Sequence, residues 1–119
     1  MKEFPEFMRK AGNRISTASQ YTPGIAGYVF DGADGSQITI WTSADGGESA
    51  EHRHAFDEYL FVVEGEYTVI IDGRPIPVRA GEEYVIPREV LHGGRSIPGT
   101  RILNAFGGRR AERENRSPA

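Results

Sequence analysis

At 119 residues and 13.1 kDa the chain is the size of one domain, and its lack of cysteine excludes disulfide scaffolds, thiolate zinc sites, iron–sulfur clusters and thiol catalysis. Lys and Arg total 14 against 17 Asp and Glu, so the chain lacks the basic excess of nucleic-acid-binding proteins, and we predict no nucleic-acid partner. No apolar run is long enough for a membrane span or a signal peptide, which predicts a cytoplasmic protein with no membrane partner.

Both ends of the chain differ in pattern from its middle. Phe4, Phe7 and Met8 have helical spacing ahead of Gly12, which predicts one short amino-terminal helical turn. After Gly107 arginines alternate with glutamates, which favours a solvated, partly disordered end over a basic contact patch. The predicted parts are an amino-terminal segment over 1–24, a β domain over 25–107 and a polar tail over 108–119.

From Tyr28 onward the hydrophobic periodicity is two, which indicates β-strands separated by turns rich in glycine and proline. Asp72-Gly73 predicts a hairpin turn, and the proline-flanked segment 76–78 predicts an edge strand. No helix-length periodic segment lies between strands, so we predict an all-β sandwich or barrel rather than βαβ units. Strands are predicted at 28–30, 38–42, 52–63, 67–71, 76–78, 84–86 and 101–106.

The chain has three histidines, two of which form a His-x-His pair, His52 and His54. On a continuous strand, residues at even spacing share a face, so both imidazoles and the Glu58 carboxylate are predicted to lie together, with Asp57 facing away. With His92, these groups form a ligand set for a divalent transition metal that leaves two octahedral positions open. Taken alone, a His-x-His pair is more often a surface or core feature than a metal ligand.

Glycines at fixed distances from the histidines change that assessment. The stretches GGESAEHRHAFDEYLFVVEG and GEEYVIPREVLHGGRS resemble the two motifs of the cupin superfamily, and together with the segment between them they span 46–96. Given His52, chance agreement at the other four positions of the first motif has a probability of about 4 × 10⁻⁵. Glu89 and Ser96 stand where the second motif has glycine and asparagine, which leaves the geometry of the loop before His92 open.

The resemblance implies a double-stranded β-helix, a small jelly-roll barrel, so the predicted fold class is all-β with a short amino-terminal helical turn. It also implies one divalent transition metal inside the barrel, held by His52, His54, Glu58 and His92. Ligand types alone do not choose among Fe, Mn, Ni, Cu, Co and Zn. The ion with one carboxylate would carry a charge of about +1, which favours an anionic oxygen ligand.

Two functions fit these residues, and both require a small-molecule ligand or substrate. The complete ligand set favours a metal-dependent dioxygenase, isomerase or lyase acting on an oxygenated anionic metabolite. The alternative is a non-catalytic metabolite- or sugar-binding sensor. With every histidine assigned to the metal, proton transfer falls to bound water, to Glu58 or to a tyrosine. Candidate polar groups inside the barrel are Trp41, Tyr67, Tyr84 and Asn104.

A homodimer is also expected. Ile38, Ile40, Val69 and Ile71 are assigned to outer sheet faces, where they provide more apolar surface than one small core requires. The amino-terminal segment is the alternative cover for that surface.

Overall fold

Two antiparallel β-sheets face each other in the computed structural model, which describes residues 2–114. Three 3₁₀ turns, Glu6–Met8, Ala11–Asn13 and Thr17–Ser19, precede the strands of this part of the chain. The strands are β1 Ala26–Asp31, β2 Gln37–Ser43, β3 Gly47–His52, β4 Glu58–Glu64, β5 Glu66–Ile71, β6 Arg74–Arg79, β7 Glu83–Ile86, β8 His92–Ser96 and β9 Thr100–Phe106. The predicted all-β jelly roll with a short amino-terminal helical turn is confirmed, and the amino-terminal segment contains three such turns.

The chain crosses repeatedly from one sheet to the other, which makes the pair of sheets a jelly roll. One sheet has the strand order β1-β2-β9-β4-β7 and the other β3-β8-β5-β6. The proline-containing β6 lies at a sheet edge as predicted, because proline has no N–H for a second neighbour. The predicted hairpin joins β5 to β6, and Asp72 and Gly73 both adopt the positive φ that a type I′ turn requires.

The core lies between the sheets and is formed by alternate residues of their strands. Leu60 and Val62 of β4 are 1% and 0% exposed, and they pack with Val69 of β5. The prediction that Val69 and Ile71 lie on an outer face is wrong: Val69 is in this core and Ile71 packs against it. Val69 and Ile71 lie two and four residues after Tyr67 on β5, so all three side chains point to the same side of the sheet, the interior.

The predicted continuous strand over 52–63 is also wrong. The chain leaves one sheet at His52 and enters the other at Glu58, with residues 53–57 forming the connection. A straight strand of that length would extend about 40 Å, so it has to turn to remain within a small barrel. Two backbone hydrogen bonds fix the connection: Glu89 N–H donates to the His54 carbonyl at 2.8 Å and Gly107 N–H to the Asp57 carbonyl at 3.0 Å.

Two strands that the sequence analysis missed, β3 and β8, pair with each other. Neither has an alternating apolar pattern, since β3 is polar and β8 begins His-Gly-Gly. Gly94 is required in β8 by a close approach, because a Cβ at this position would collide with the Tyr67 hydroxyl. The glycine therefore marks a packed strand, although glycine usually indicates a turn.

Residues 108–114, which the sequence analysis placed in a polar tail, pack against the barrel; residues 115–119 of that tail lie outside the described residues. Ala111 is 1% exposed and belongs to the core cluster. Ser16 N–H donates to the Glu112 carbonyl at 2.8 Å, so this carboxy-terminal segment also binds the amino-terminal one. Within residues 2–114, no helix has the length and apolar character needed to cross a membrane.

Gln37 anchors the carboxy-terminal segment through a fully satisfied, buried amide. Its Oε1 accepts hydrogen bonds from the backbone N–H groups of Arg110 and Ala111 at 2.7 and 2.8 Å. Its Nε2 donates to the Ala111 carbonyl at 3.0 Å and to Asp31 Oδ1 at 2.8 Å. Gln37 itself is 2% exposed and Ala111 is 1% exposed, so removing the amide would leave the Ala111 N–H and carbonyl without these partners inside the protein.

We therefore expect Gln37→Ala to lower the free energy of unfolding by about 2–4 kcal/mol, because it leaves a cavity and unpaired backbone groups. Urea denaturation measures this loss, and amide hydrogen exchange at residues 110–114 should accelerate. Gln20→Ala makes the same chemical change at a half-buried position and should cost about 1 kcal/mol or less. Equal losses in the two variants would contradict the anchoring role of Gln37.

Candidate metal centre

Four side chains from both sheets converge at one end of the barrel. His52 ends β3, His54 lies in the connection after it, Glu58 begins β4 and His92 begins β8. One potential ligand atom from each lies within 4.8 Å of the others, so the group could hold a metal ion. These are the four residues singled out from the sequence, although they meet through a chain reversal between the sheets and not on one strand.

Asp57 takes no part in this cluster, in agreement with its predicted direction. Its Oδ1 accepts a hydrogen bond at 2.9 Å from the backbone N–H of Arg88, at an exposed position. Asp57 and Glu58 are thus neighbouring carboxylates with different environments, one solvated and one inside the barrel.

Backbone carbonyls orient two of the three imidazoles. His52 Nδ1 lies 2.8 Å from the Ala50 carbonyl and His92 Nδ1 lies 2.9 Å from the Val90 carbonyl. A carbonyl only accepts, so in each ring Nδ1 carries a proton, and in the neutral ring Nε2 keeps a lone pair. Metal-binding histidines commonly have this arrangement.

The nitrogens that face the cluster lack hydrogen-bond partners. Nε2 of His54 and Nε2 of His92 are both buried, and neither makes a hydrogen bond within residues 2–114. They lie 3.3 and 3.5 Å from Glu58 Oε1, close enough for attraction but without hydrogen-bonding geometry. Buried polar atoms without partners are rare, and a cation among them would satisfy both nitrogens and the carboxylate. The donor set therefore fits a divalent transition metal.

The pKa values of the cluster reflect its burial and its one carboxylate. Burial lowers the pKa of His52 to about 4, so its imidazole is neutral at physiological pH. Burial alone would raise the pKa of Glu58, but the adjacent imidazoles of His54 and His92 outweigh it and lower the pKa to about 2. The same carboxylate raises the pKa of His92 against the effect of its burial. Glu58 thus supplies the anionic ligand group of the cluster.

Asn104 holds the Glu58 carboxylate in place. Its Nδ2 donates to Glu58 Oε2 at 3.1 Å and to the Tyr59 carbonyl at 3.2 Å, and Asn104 is 5% exposed. One carboxylate oxygen is therefore fixed by the amide while the other faces the imidazoles, an outer-shell arrangement typical of metal sites.

The cluster opens into a cavity inside the barrel. Trp41, Tyr67 and Asn104, predicted as interior polar groups, line this cavity, whereas Tyr84 packs against the hydrophobic core. The Tyr67 hydroxyl donates to Ser49 Oγ at 3.3 Å, and Ser49 in turn shares a short hydrogen bond with Thr22. The cavity walls further include Tyr21, Leu60, Ile102, Phe106 and Arg110.

Two of the cavity residues that were not predicted from the sequence, Tyr21 and Arg110, come from the terminal segments. Tyr21 stacks on His52, with ring centroids 3.8 Å apart and planes 5° apart. Arg110 lies over Tyr21, Trp41 and Phe106, with Cζ 4.5, 5.5 and 5.8 Å from the ring centroids. Neither residue belongs to a spaced motif, so only its aromatic or cationic chemistry could have indicated a role.

The loop before His92 keeps the turn that glycine would provide. Glu89 adopts a φ of 65°, in the left-handed region, at the position where the cupin motif has glycine. This conformation costs a non-glycine residue about 1–2 kcal/mol. In this conformation Glu89 N–H donates a hydrogen bond to the His54 carbonyl, which ties the loop to the connection that carries His54.

Comparison with known proteins agrees with this architecture. The family described as "Cupin domain" matches residues 39–102, slightly more than half of the chain. Polyketide synthase CurC of Streptomyces cyaneus is 36% identical over 90 residues, which are 75% of this chain and 54% of that protein. The chain therefore spans about half the length of this relative.

Solved structures share the fold at lower identity. The polyketide cyclase RemF from Streptomyces resistomycificus is 23% identical with a TM-score of 0.71, covering 98% of this chain and 87% of RemF. KdgF from Halomonas sp. is 20% identical with a TM-score of 0.66, covering 81% of this chain and 93% of KdgF. At these identities the likeness establishes the fold alone.

We expect Glu58→Gln to weaken metal binding about tenfold or more, because a neutral amide oxygen is a poorer ligand and the site charge rises by about one unit. Asp57→Asn makes the same change one residue away and should leave affinity nearly unchanged, since Asp57 is solvated. Titration calorimetry with Zn²⁺ or Co²⁺ measures both affinities. The reverse order of effects would contradict the ligand assignment, and equal small effects would limit the site to the histidines.

Proposed function

The chain belongs to the cupin family, and on that premise we propose that it is a metal-dependent enzyme acting on an oxygenated, anionic small molecule. The observation that carries the proposal is the position of the cluster of His52, His54, Glu58 and His92, whose partnerless nitrogens adjoin an internal cavity. A purely structural metal site is closed by its protein ligands, whereas a catalytic one leaves room for substrate.

A divalent ion held by these four residues would supply Lewis-acid polarisation of a substrate oxygen. The residues around it have distinct tasks. Asn104 fixes the Glu58 carboxylate, and Tyr21 covers the ring of His52. Burial raises the pKa of Tyr67, so its hydroxyl, which contacts Ser49 and through it Thr22, stays protonated and can turn to donate a hydrogen bond to a substrate oxygen in the cavity.

We propose polyketide-type substrates, that is, enolisable chains with several carbonyl groups. The name of the 36% identical relative, polyketide synthase CurC, and the aromatic cavity walls support this choice. In such a chain, an enolate carbon attacks a carbonyl carbon of the same molecule, and a C–C bond forms as the carbonyl oxygen takes up a proton. This C–C bond closes the ring, and loss of water, which removes the new hydroxyl and an adjacent C–H proton, then introduces a C=C double bond. This sequence balances without an oxidant, so we favour isomerase or lyase chemistry over a dioxygenase.

The test uses a synthetic phenyl-terminated linear triketone with metal-free and metal-loaded protein, after elemental analysis of the purified chain. We expect the metal-loaded protein to accelerate cyclisation, followed by absorbance and mass spectrometry, with no oxygen uptake at an oxygen electrode. His52→Ala combined with His54→Ala should keep the β-rich circular dichroism spectrum but lose stoichiometric metal and turnover. Oxygen consumption would instead indicate a dioxygenase, and saturable binding without turnover would indicate a sensor.

We also propose a homodimer formed through the outer face of the five-stranded sheet. Ile38 is 46% exposed and Val85 54% exposed. The strand register places Ile38 opposite Ala105, Ala105 opposite Tyr59 and Tyr59 opposite Val85, so these residues form one row across the sheet. Of the four residues first assigned to outer faces, Ile38 remains exposed, whereas Ile40 is 1% exposed.

Sedimentation equilibrium at micromolar concentration should therefore give a mass of about twice 13.1 kDa. Ile38→Lys should shift the protein to monomers, because it places a charge in the apolar row. Ile97→Lys alters an equally exposed isoleucine, 50% exposed, between β8 and β9 and should leave the dimer intact. A monomer of the unchanged protein under these conditions would contradict the proposal.

A further inference from the structure

A cationic side chain from the carboxy-terminal segment enters the cavity that holds the cluster. Arg110 lines this cavity together with His52, Glu58 and His92, although it follows the last strand of the barrel. The backbone N–H of Arg110 donates a hydrogen bond to Gln37 Oε1, and Nη1 of the Arg110 side chain donates one to the Ser19 carbonyl. Both the segment and its side chain are therefore held in place.

The guanidinium is surrounded mainly by aromatic rings. Tyr21, Trp41 and Phe106 all lie within 5.8 Å of Cζ. Such contacts stabilise the cation but satisfy few of its five N–H donors. Within residues 2–114 the bond to Ser19 is the one hydrogen bond from the guanidinium, and no carboxylate comes within ion-pair distance. A half-buried guanidinium with no anion in direct contact is costly, so a bound anion would be favoured at this position.

Arg110 and the cluster line the same cavity. The Tyr21 ring contacts both the His52 imidazole and the Arg110 guanidinium. A divalent ion with the Glu58 carboxylate leaves a charge of about +1, and Arg110 adds another. The cavity would then carry about +2, more than a single oxygen anion at the metal neutralises.

We propose that Arg110 is a substrate-binding residue that recognises an anionic oxygen of the substrate, a carboxylate or enolate on a planar conjugated skeleton, while another oxygen binds at the cluster. The inference rests on the proposed function and names the substrate class more closely. The two parallel N–H groups of the guanidinium can donate to both oxygens of a carboxylate, or to one enolate oxygen. The aromatic side chains of the cavity suit a flat substrate that reaches from Arg110 to the cluster. Specificity would then depend on a residue outside the barrel strands.

The test measures binding of salicylate, a planar anion with two oxygen groups, to zinc-loaded protein by titration calorimetry. Its neutral analogue salicylamide is the matched ligand control. Arg110→Gln should weaken salicylate binding at least tenfold and change salicylamide binding less than twofold. Arg109→Gln removes the same charge from the exposed neighbouring residue and should leave both affinities within twofold. Zinc content and thermal melting are recorded for every variant.

Arg110→Lys provides a second test in case Arg110→Gln folds poorly, because lysine keeps the charge and the aromatic contacts but loses the two parallel N–H groups. We expect it to bind salicylate about three- to tenfold more weakly than the unchanged protein. Unchanged salicylate affinity in a folded, zinc-loaded Arg110 variant would overturn the inference, as would equal affinity of the unchanged protein for salicylate and salicylamide. Failure of the unchanged protein to bind zinc would instead overturn the proposed function.

Discussion

The attraction between one buried carboxylate and the imidazoles around it constrains the whole barrel. Glu58 begins a strand of one sheet, whereas His92 begins a strand of the other, so their contact joins the two sheets at the cavity. Removing a carboxylate from water carries a desolvation penalty, which the imidazoles and the Asn104 amide offset. Every element that presents one of these groups must therefore end or begin at the same height of the barrel.

The sequence allowed the cluster to be predicted because its spacing pattern is local, but the reason given for it was incorrect. A period-two argument places His52 and Glu58 on one face of one strand, whereas they end and begin strands of different sheets. Alternation cannot distinguish a continuous strand from two strands separated by an irregular connection. The family resemblance supplied the missing information, because its motif spacing already contains the reversal between the sheets.

The terminal segments could not be predicted for a different physical reason. The order of residues 108–114 depends on Gln37, far away in the sequence, whose amide pairs with the Arg110 and Ala111 backbone. A polar residue facing inward on β2 is unremarkable in a sequence pattern until its partner is known. The arginines and glutamates of the segment have the composition of a solvated tail, and only the buried Ala111 departs from it. Tertiary hydrogen bonds, and not local propensity, determine its position.

The residues of the cavity come from two parts of the chain, the barrel strands with their connections and the terminal segments. The barrel strands and their connections supply the cluster, and they do so even where Glu89 has to adopt a strained conformation in place of glycine. The terminal segments supply Tyr21 and Arg110, which cover the cluster and add charge without touching the motif spacing. A change in either segment can therefore alter the shape and charge of the cavity while the geometry of the cluster stays the same. Such a separation would let a barrel keep its cluster while the shape and charge of its cavity change.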